Sequence, residues 1–216
     1  MRETGFTRRE VVAGSALLLA APLLGASTEP DRVPVDPAIW RFLVVGDWGR
    51  DGQSGQCETA KAMATVWDKY GPEFVVSTGD NFYNWGVDSP TAYRWNTCFE
   101  DVYAPRIKPW YALPGNHDYG GSVQAQIDRG KMPGRWNMDG HWWHRPLAPT
   151  GRPSLDLFFF DTVAWHGKEQ LPHTLRGDKV SPADYHRQKA EMGEVVCNSR
   201  ADIKLAFGHQ IGRAHV

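Results

Sequence analysis

Residues 41–47 read Arg-Phe-Leu-Val-Val-Gly-Asp, a short continuous apolar run that ends in glycine and a carboxylate. A run of this kind predicts a buried β-strand followed by a turn. Similar runs at 73–77, 108–113, 155–160 and 202–207 predict four further strands. Helical patterns lie between them, at 59–70, 91–102 and 181–196. This alternation of strands and helices predicts an α/β fold.

Four of the predicted strands are followed by glycine and a side chain that can bind a metal ion. These side chains are Asp47, Asp80, Asn116 and His209. Glycine lets the chain turn sharply, and the carboxyl ends of the strands in an α/β sheet meet at one crevice, where ligands bind. We therefore expect these four side chains to lie together, although they are far apart in the sequence.

Together with Tyr83, these side chains form a set of oxygen donors with one imidazole. Such a set suits Mg, Mn, Fe or Zn better than copper or an iron–sulfur cluster. The carboxylate of Asp80 can bridge two cations, and a pair of metal ions clamps a phosphoryl group and turns bound water into hydroxide near neutral pH. A single Gly-Asp or Gly-His pair is more often only a turn, so the metal prediction depends on the four strand ends together.

Three motifs occupy these strand ends: Gly46-Asp47-Trp48-Gly49, Gly79-Asp80-Asn81-Phe82-Tyr83 and Gly115-Asn116-His117-Asp118. They resemble the metal motifs of calcineurin-like metallophosphoesterases, and more narrowly those of the small, tartrate-resistant purple acid phosphatases. The resemblance extends from about Trp40 to Gln210. It implies a metallophosphoesterase-like α/β fold, a β-sandwich of two mixed sheets flanked by helices, which lacks its C-terminal part in this chain.

The resemblance implies a metal-binding role for five residues. Asp47 and Tyr83 would bind Fe(III), with Tyr83 as a phenolate. Asp80 would bridge this ion to a divalent one (Fe, Zn or Mn), which Asn116 and His209 would also bind. The family has two further histidines in a downstream Gly-His-Xaa-His segment, and this sequence contains none. We therefore expect the 216-residue chain to bind metal weakly and to have little activity.

Two catalytic residues are also implied by the resemblance. His117 would contact the substrate phosphate or protonate the departing alkoxide, and Asp118 would orient His117. The implied activity is that of an acid phosphatase, which hydrolyses phosphate monoesters with a metal-bound hydroxide. Two alternatives stay open: a phosphodiesterase or nucleotidase of the same superfamily, and a non-catalytic cell-surface binding protein.

The two ends of the chain predict segments outside the folded domain. Paired arginines at positions 8 and 9 precede an apolar run and the small residues Gly25-Ala26, which predicts a twin-arginine signal peptide over 1–26 and export to the periplasm or the extracellular space. Residues 27–39 read as a linker, and 40–210 as the domain. The last six residues, 211–216, match a translated sequencing adapter (ATC GGA AGA GCA CAC GTC) and are interpreted as an artefact.

Composition limits the expected partners. The chain has 24 Lys+Arg against 25 Asp+Glu and a net charge of −1, which argues against a nucleic-acid partner held by bulk electrostatics. Because metal ions dominate the local field of such a centre, a small phosphorylated substrate is expected. We expect a monomer without a stable membrane span after signal cleavage.

Several other residues are given structural interpretations. Cys57 and Cys98 either pair after export or remain buried thiols, and the sequence leaves both open. His141 and His144 are expected to be structural, because a metal site needs more ligands than this stretch offers. Asp161 is expected to form a hydrogen-bonded turn in the core.

Overall fold

The computed structural model describes residues 32–166 and 181–210 of the chain. In this part of the chain, seven strands form one sheet of four strands and one of three. The strands are β1 Phe42–Val45, β2 Phe74–Ser77, β3 Trp110–Ala112, β4 Trp136–Asn137, β5 Trp143–Leu147, β6 Leu155–Phe160 and β7 Ile203–Gly208. The α-helices are α1 Gln56–Tyr70, α2 Val123–Gly130, α3 Val163–His166 and α4 Pro182–Asn198. The predicted signal peptide (1–26) and the suspected artefact (211–216) lie outside the described residues.

The first sheet has the strand order β1-β2-β3-β4, and its neighbouring strands are parallel. Phe42 pairs with Phe74 across β1 and β2, and Val75 pairs with Trp110 across β2 and β3. Because the strands run in the same direction, their carboxyl ends reach one edge of the sheet. The three motifs that resemble metal-binding motifs, at 46–49, 79–83 and 115–118, follow β1, β2 and β3 at this edge.

The second sheet has the order β5-β6-β7, with β5 antiparallel and β7 parallel to β6. It is therefore a mixed sheet, whereas the described pairs of the first sheet are all parallel. The two sheets and their flanking helices confirm the predicted fold class.

Alternate residues of β2 enter two different cores. Phe74 and Val76 belong to a cluster that the two sheets share, in which Trp143 and Phe159 stack at a centroid distance of 4.2 Å. Val75 points into a second cluster, between the first sheet and the helices. That second cluster contains the buried indoles of Trp48, Trp95, Trp110 and Trp136. Because both faces of β2 are covered, its sequence is a continuous apolar run.

The predicted elements agree with the structure where the apolar runs are long. The strand at 155–160 has the predicted bounds, and α4 begins with the expected signal, since the Ser181 hydroxyl accepts from the Asp184 N–H at 3.3 Å. The helix predicted at 91–102 is instead a short π-helical segment, Asn96–Glu100, which buries Cys98 and Phe99. The elements α2, α3 and β4 were not predicted, because eight, four and two residues are too few to show a clear periodicity. Strand β5 contains His144, one of the two histidines expected to be structural.

Within the described ranges, no helix is both long enough and apolar enough to cross a membrane.

Candidate metal centre

The ends of four strands position the predicted ligands. Asp47 follows β1, Asp80 follows β2, Asn116 follows β3, and His209 comes directly after the last residue of β7. The chain turns at a glycine before each of them. The second sheet therefore contributes an imidazole to the same edge at which the first sheet presents its oxygen ligands.

The structure brings all five predicted ligands together. One ligand atom each of Asp47, Asp80 and His209 lies within 4.8 Å of the other two. The His209 Nε2 atom is 3.4 Å from Asp80 Oδ1 and 3.1 Å from Asn116 Oδ1. The Tyr83 hydroxyl donates a hydrogen bond to Asp47 Oδ1 at 2.7 Å. Side chains from four separate strand ends thus surround one small space.

The orientation of the His209 ring suits a cation. Its Nδ1 is 2.9 Å from the Thr78 carbonyl oxygen, which can only accept a hydrogen bond, so Nδ1 carries the proton. In the tautomer with the proton on Nδ1, the Nε2 lone pair faces the Asn116 carbonyl oxygen and the Asp80 carboxylate. Three acceptors that face each other favour a positive ion between them, and the set of carboxylate, amide, phenol and imidazole donors matches hard or borderline metals.

The two aspartates among the predicted ligands have an unusual backbone conformation. The φ angles are 59° for Asp47 and 53° for Asp80, in the left-handed region that residues other than glycine rarely occupy. Gly79, with φ 97°, lies where the loops converge, since a Cβ placed on it would be 2.7 Å from the Gly115 nitrogen. Such conformations persist where the surrounding structure requires them, and they concentrate at functional sites.

The environment of Tyr83 favours the protonated phenol when no metal is bound. Burial, followed by hydrogen bonds and charge interactions with Asp80 and Asp47, raises the pKa of Tyr83 above its usual value. The guanidinium of Arg50 lies 3.7 Å above the centre of the Tyr83 ring, a cation–π contact. Arg50 was not among the predicted site residues, although its position three residues after Asp47 was an available signal.

His117 lies at the rim of this group of ligands. Its Nε2 is 4.0 Å from Asp80 Oδ2, and its ring centroid is 4.3 Å from that of Tyr83. Its backbone N–H donates to Asp80 Oδ1 at 2.9 Å, and its Nδ1 pairs with the Asn84 carbonyl oxygen at 3.0 Å. The Asn84 carbonyl therefore orients the ring and places the proton on Nδ1.

The backbone contacts of the Asp118 carboxylate lie in the two loops next to His117, and the predicted role of Asp118 in orienting His117 stays a prediction. The buried Asp118 carboxylate accepts from the backbone N–H groups of Gly115, Asn81 and Phe82, and from the side-chain amides of Asn81 and Gln126. It therefore holds the loop after β2 to the loop after β3. Burial, and then the charge of Asp80, raise the pKa of Asp118 to about 6.

The residues interpreted as structural make other contacts. His141 Nδ1 is 2.8 Å from the Tyr119 hydroxyl, which also donates to the Asp161 carboxylate. His144 lies on β5 and stacks on Phe158. The three cysteines are free thiols, so no described contact pairs Cys57 with Cys98.

Comparison with known proteins identifies the family. A family model described as calcineurin-like phosphoesterase matches residues 41–212. The chain belongs to the calcineurin-like phosphoesterase family. The matched range includes all five candidate ligands, together with His117 and Asp118.

Curated relatives of this chain are named as acid phosphatases. Purple acid phosphatase 3 of Arabidopsis thaliana is 40% identical over 175 residues, which are 78% of this chain and 47% of the relative. Tartrate-resistant acid phosphatase type 5 of Sus scrofa is 36% identical over 208 residues, 90% of this chain and 59% of the relative. The chain therefore spans about half to three-fifths of the length of these relatives.

A solved structure shows the same fold. It is titled GAP50, the anchor in the inner membrane complex of Plasmodium, and it matches with a TM-score of 0.60 at 24% identity. The match covers 78% of this chain and 54% of the other. At this identity the likeness concerns the fold alone.

Proposed function

We propose that this chain forms the metal-binding part of an acid phosphatase that hydrolyses small phosphate monoesters. The observation that supports this proposal most strongly is the convergence of Asp47, Asp80 and His209 within 4.8 Å at the strand ends. The names of the curated relatives support the same activity.

The donor set divides between two cations in a chemically reasonable way. Asp47 and the Tyr83 phenolate would hold Fe(III), Asp80 would bridge, and Asn116 and His209 would hold a divalent Fe, Zn or Mn ion. When bound, the two ions would supply Lewis acidity that neutralises phosphate charge and activates water. The surroundings raise the pKa of Tyr83 when no metal is bound. A hard ferric ion would displace the phenol proton in spite of this, so Tyr83 could still serve as a ligand.

His117 is suited to moving a proton to the leaving group. The Asn84 carbonyl holds the Nδ1 proton, so Nε2 is the ring atom that exchanges protons with a substrate. The side chain is 30% exposed, which leaves it accessible from solvent. A positioned general acid contributes typically 10²–10⁴-fold to a rate. Asp118 supports this step indirectly, because it fixes the loop that carries His117.

Export is a further part of the proposal. The predicted twin-arginine signal over 1–26 would carry an already folded protein out of the cytoplasm, to the periplasm or beyond, where we propose that it acts as a monomer. A fusion of residues 1–39 to a reporter protein tests this. Loss of reporter export on changing both Arg8 and Arg9 to Lys is expected, and unchanged export would contradict the twin-arginine interpretation.

The activity is tested with the 216-residue chain loaded with iron together with zinc or manganese. We expect slow hydrolysis of p-nitrophenyl phosphate that depends on added metal and is lost in Asp80→Asn, while the exposed Asp101→Asn serves as the matched control. Metal content per chain should fall in parallel in Asp80→Asn. Hydrolysis that persists in Asp80→Asn, or that needs no metal, would contradict the proposal. A preference for bis-p-nitrophenyl phosphate would favour the phosphodiesterase alternative.

A further inference from the structure

A cavity of about 630 Å³ opens beside the candidate metal centre. Tyr83 belongs to its lining and is also a predicted ligand, so the cavity begins where a phosphate ester would be bound. Further lining residues are Asp51, Trp85, Asp88, Arg94 and Gly120. A space in this position can receive the alcohol part of a phosphomonoester, and its chemistry can therefore select the substrate.

Trp85 presents an aromatic surface to this cavity. The residue is 53% exposed, a large fraction for a tryptophan. Gly120 lets the indole approach the chain closely, because a Cβ placed on Gly120 would be 2.9 Å from Trp85 Cα and 3.4 Å from Trp85 Cε3. The Trp85 ring therefore packs against the Gly120 segment along one edge.

The cavity lining contains two carboxylates, those of Asp51 and Asp88, and one guanidinium, that of Arg94. Asp51 accepts a hydrogen bond from the Arg94 guanidinium at 2.8 Å, and Arg94 also donates to the Gly86 carbonyl at 2.9 Å and to the Tyr83 carbonyl. The charge of Arg94 is thus balanced by Asp51 and directed to backbone oxygens. Asp88 is exposed, and no ion pair or hydrogen bond reaches its carboxylate from residues 32–166 or 181–210. The same cavity lining therefore contains an uncompensated carboxylate and an exposed indole.

A cavity lined by an exposed indole and an uncompensated carboxylate suits ammonium groups, because a cation is attracted both to an aromatic face and to a negative charge. We infer that the cavity recognises the alcohol part of phosphate monoesters whose alcohol carries a quaternary or primary ammonium group. This inference rests on the proposed phosphatase function, and it adds a substrate class to it. The uncompensated carboxylate also disfavours alcohol parts that carry further phosphate groups, because like charges repel.

The test compares two phosphate esters that have the same shape and differ in charge. Phosphocholine carries the cation, and 3,3-dimethylbutyl phosphate replaces its nitrogen by carbon. We expect kcat/KM for phosphocholine to exceed that for the neutral ester by about tenfold. Trp85→Leu and Asp88→Asn should each bring the ratio close to one. The exposed Trp165→Leu and Asp101→Asn, which lie outside the cavity lining, should retain the ratio of the parent chain. A ratio of one in the parent chain would overturn the inference.

A binding measurement separates this inference from the proposed function. Choline and 3,3-dimethylbutanol are added to the metal-free 216-residue chain, and broadening of their methyl NMR signals is recorded. Broadening of choline alone, which is lost in Asp88→Asn, supports the cavity assignment even if no ester is hydrolysed. Equal broadening of both alcohols overturns it even if the neutral ester is hydrolysed.

Discussion

Replacing Gly115 by alanine should disrupt the metal centre without removing any ligand. A Cβ at this position would lie 2.2 Å from the Asp80 backbone nitrogen, 2.3 Å from Asp80 Oδ1 and 3.0 Å from Asp80 Cα. Ordinary contacts of a Cβ begin at about 3.4 Å, so the two loops must separate by roughly 1 Å. The neighbouring atoms are mostly backbone, which cannot move aside by a change of rotamer.

The size of the effect follows from the rigidity of this contact. Overpacking typically costs about 1–3 kcal/mol, and a clash with backbone belongs at the upper end of that range. In a chain of this size, 1 kcal/mol shifts Tm by about 2–4 °C, so we expect Gly115→Ala to lower Tm by about 6–12 °C. Because Asp80 moves away from His209, metal uptake should also fall.

Gly193→Ala is the matched control. Gly193 lies inside α4, and a Cβ there would meet no atom within 4 Å. Alanine should therefore stabilise the helix by about 0.5–1 kcal/mol. Differential scanning calorimetry of the metal-free chains measures both changes, and titration with zinc measures uptake. If Gly115→Ala melts at the temperature of the parent chain, the loops after β2 and β3 are not in the close contact described above.

Three further predictions concern buried and charged groups. Burial, followed by the Asp51 hydrogen bond, raises the pKa of Cys98 to about 12, so mass spectrometry after iodoacetamide treatment at pH 8 should find the exposed Cys197 alkylated and Cys98 unmodified. Burial disfavours the charged form of Asp51, but hydrogen bonds led by that from Arg94 outweigh burial and lower the pKa of Asp51. The ionised carboxylate therefore stabilises the folded chain at neutral pH, and this stabilisation is lost in acid. In urea unfolding, the stability advantage of the parent chain over Asp51→Asn should shrink as the pH falls from about 5 to 2. Asp118→Ala should lower the free energy of unfolding by about 4 kcal/mol in the same assay, because it leaves buried N–H groups unpaired. Unchanged stability together with lost activity would instead support a purely catalytic role for Asp118.

The strands and the ligands could be predicted because each depends on local sequence. The run at β1 is apolar throughout, and that at β2 is apolar up to Ser77 and buried on both faces. The run at β7 is apolar except for Lys204. The ligands follow these strands within a few residues, so predicting the strands also predicted the positions of Asp47, Asp80 and His209. Their assembly needed only the general rule that strand ends meet at one edge.

The supporting contacts could not be predicted, because they join segments that are distant in the sequence. The carbonyl that orients His117 belongs to Asn84, and Asp118 binds N–H groups of residues 81, 82 and 115. A carbonyl group is present at every residue, so no residue type marks the one that is used. The cavity beside Tyr83 likewise requires the loop around Trp85 to meet the segment around Gly120, which only the folded structure reveals.

The backbone of Asp47 and Asp80 gives a physical reason to treat them as functional. A turn with φ near +55° is most easily made by glycine, and a non-glycine residue there costs about 1–3 kcal/mol. The chain places glycine immediately before each of these positions, at 46 and 79, and a carboxylate at the position itself. Folding alone would be better served by glycine at both, which supports the binding role proposed for the two carboxylates. The proposed cation between Asp47, Asp80 and His209 would account for that cost, since it would turn the closely spaced negative charges from a repulsion into a ligand set.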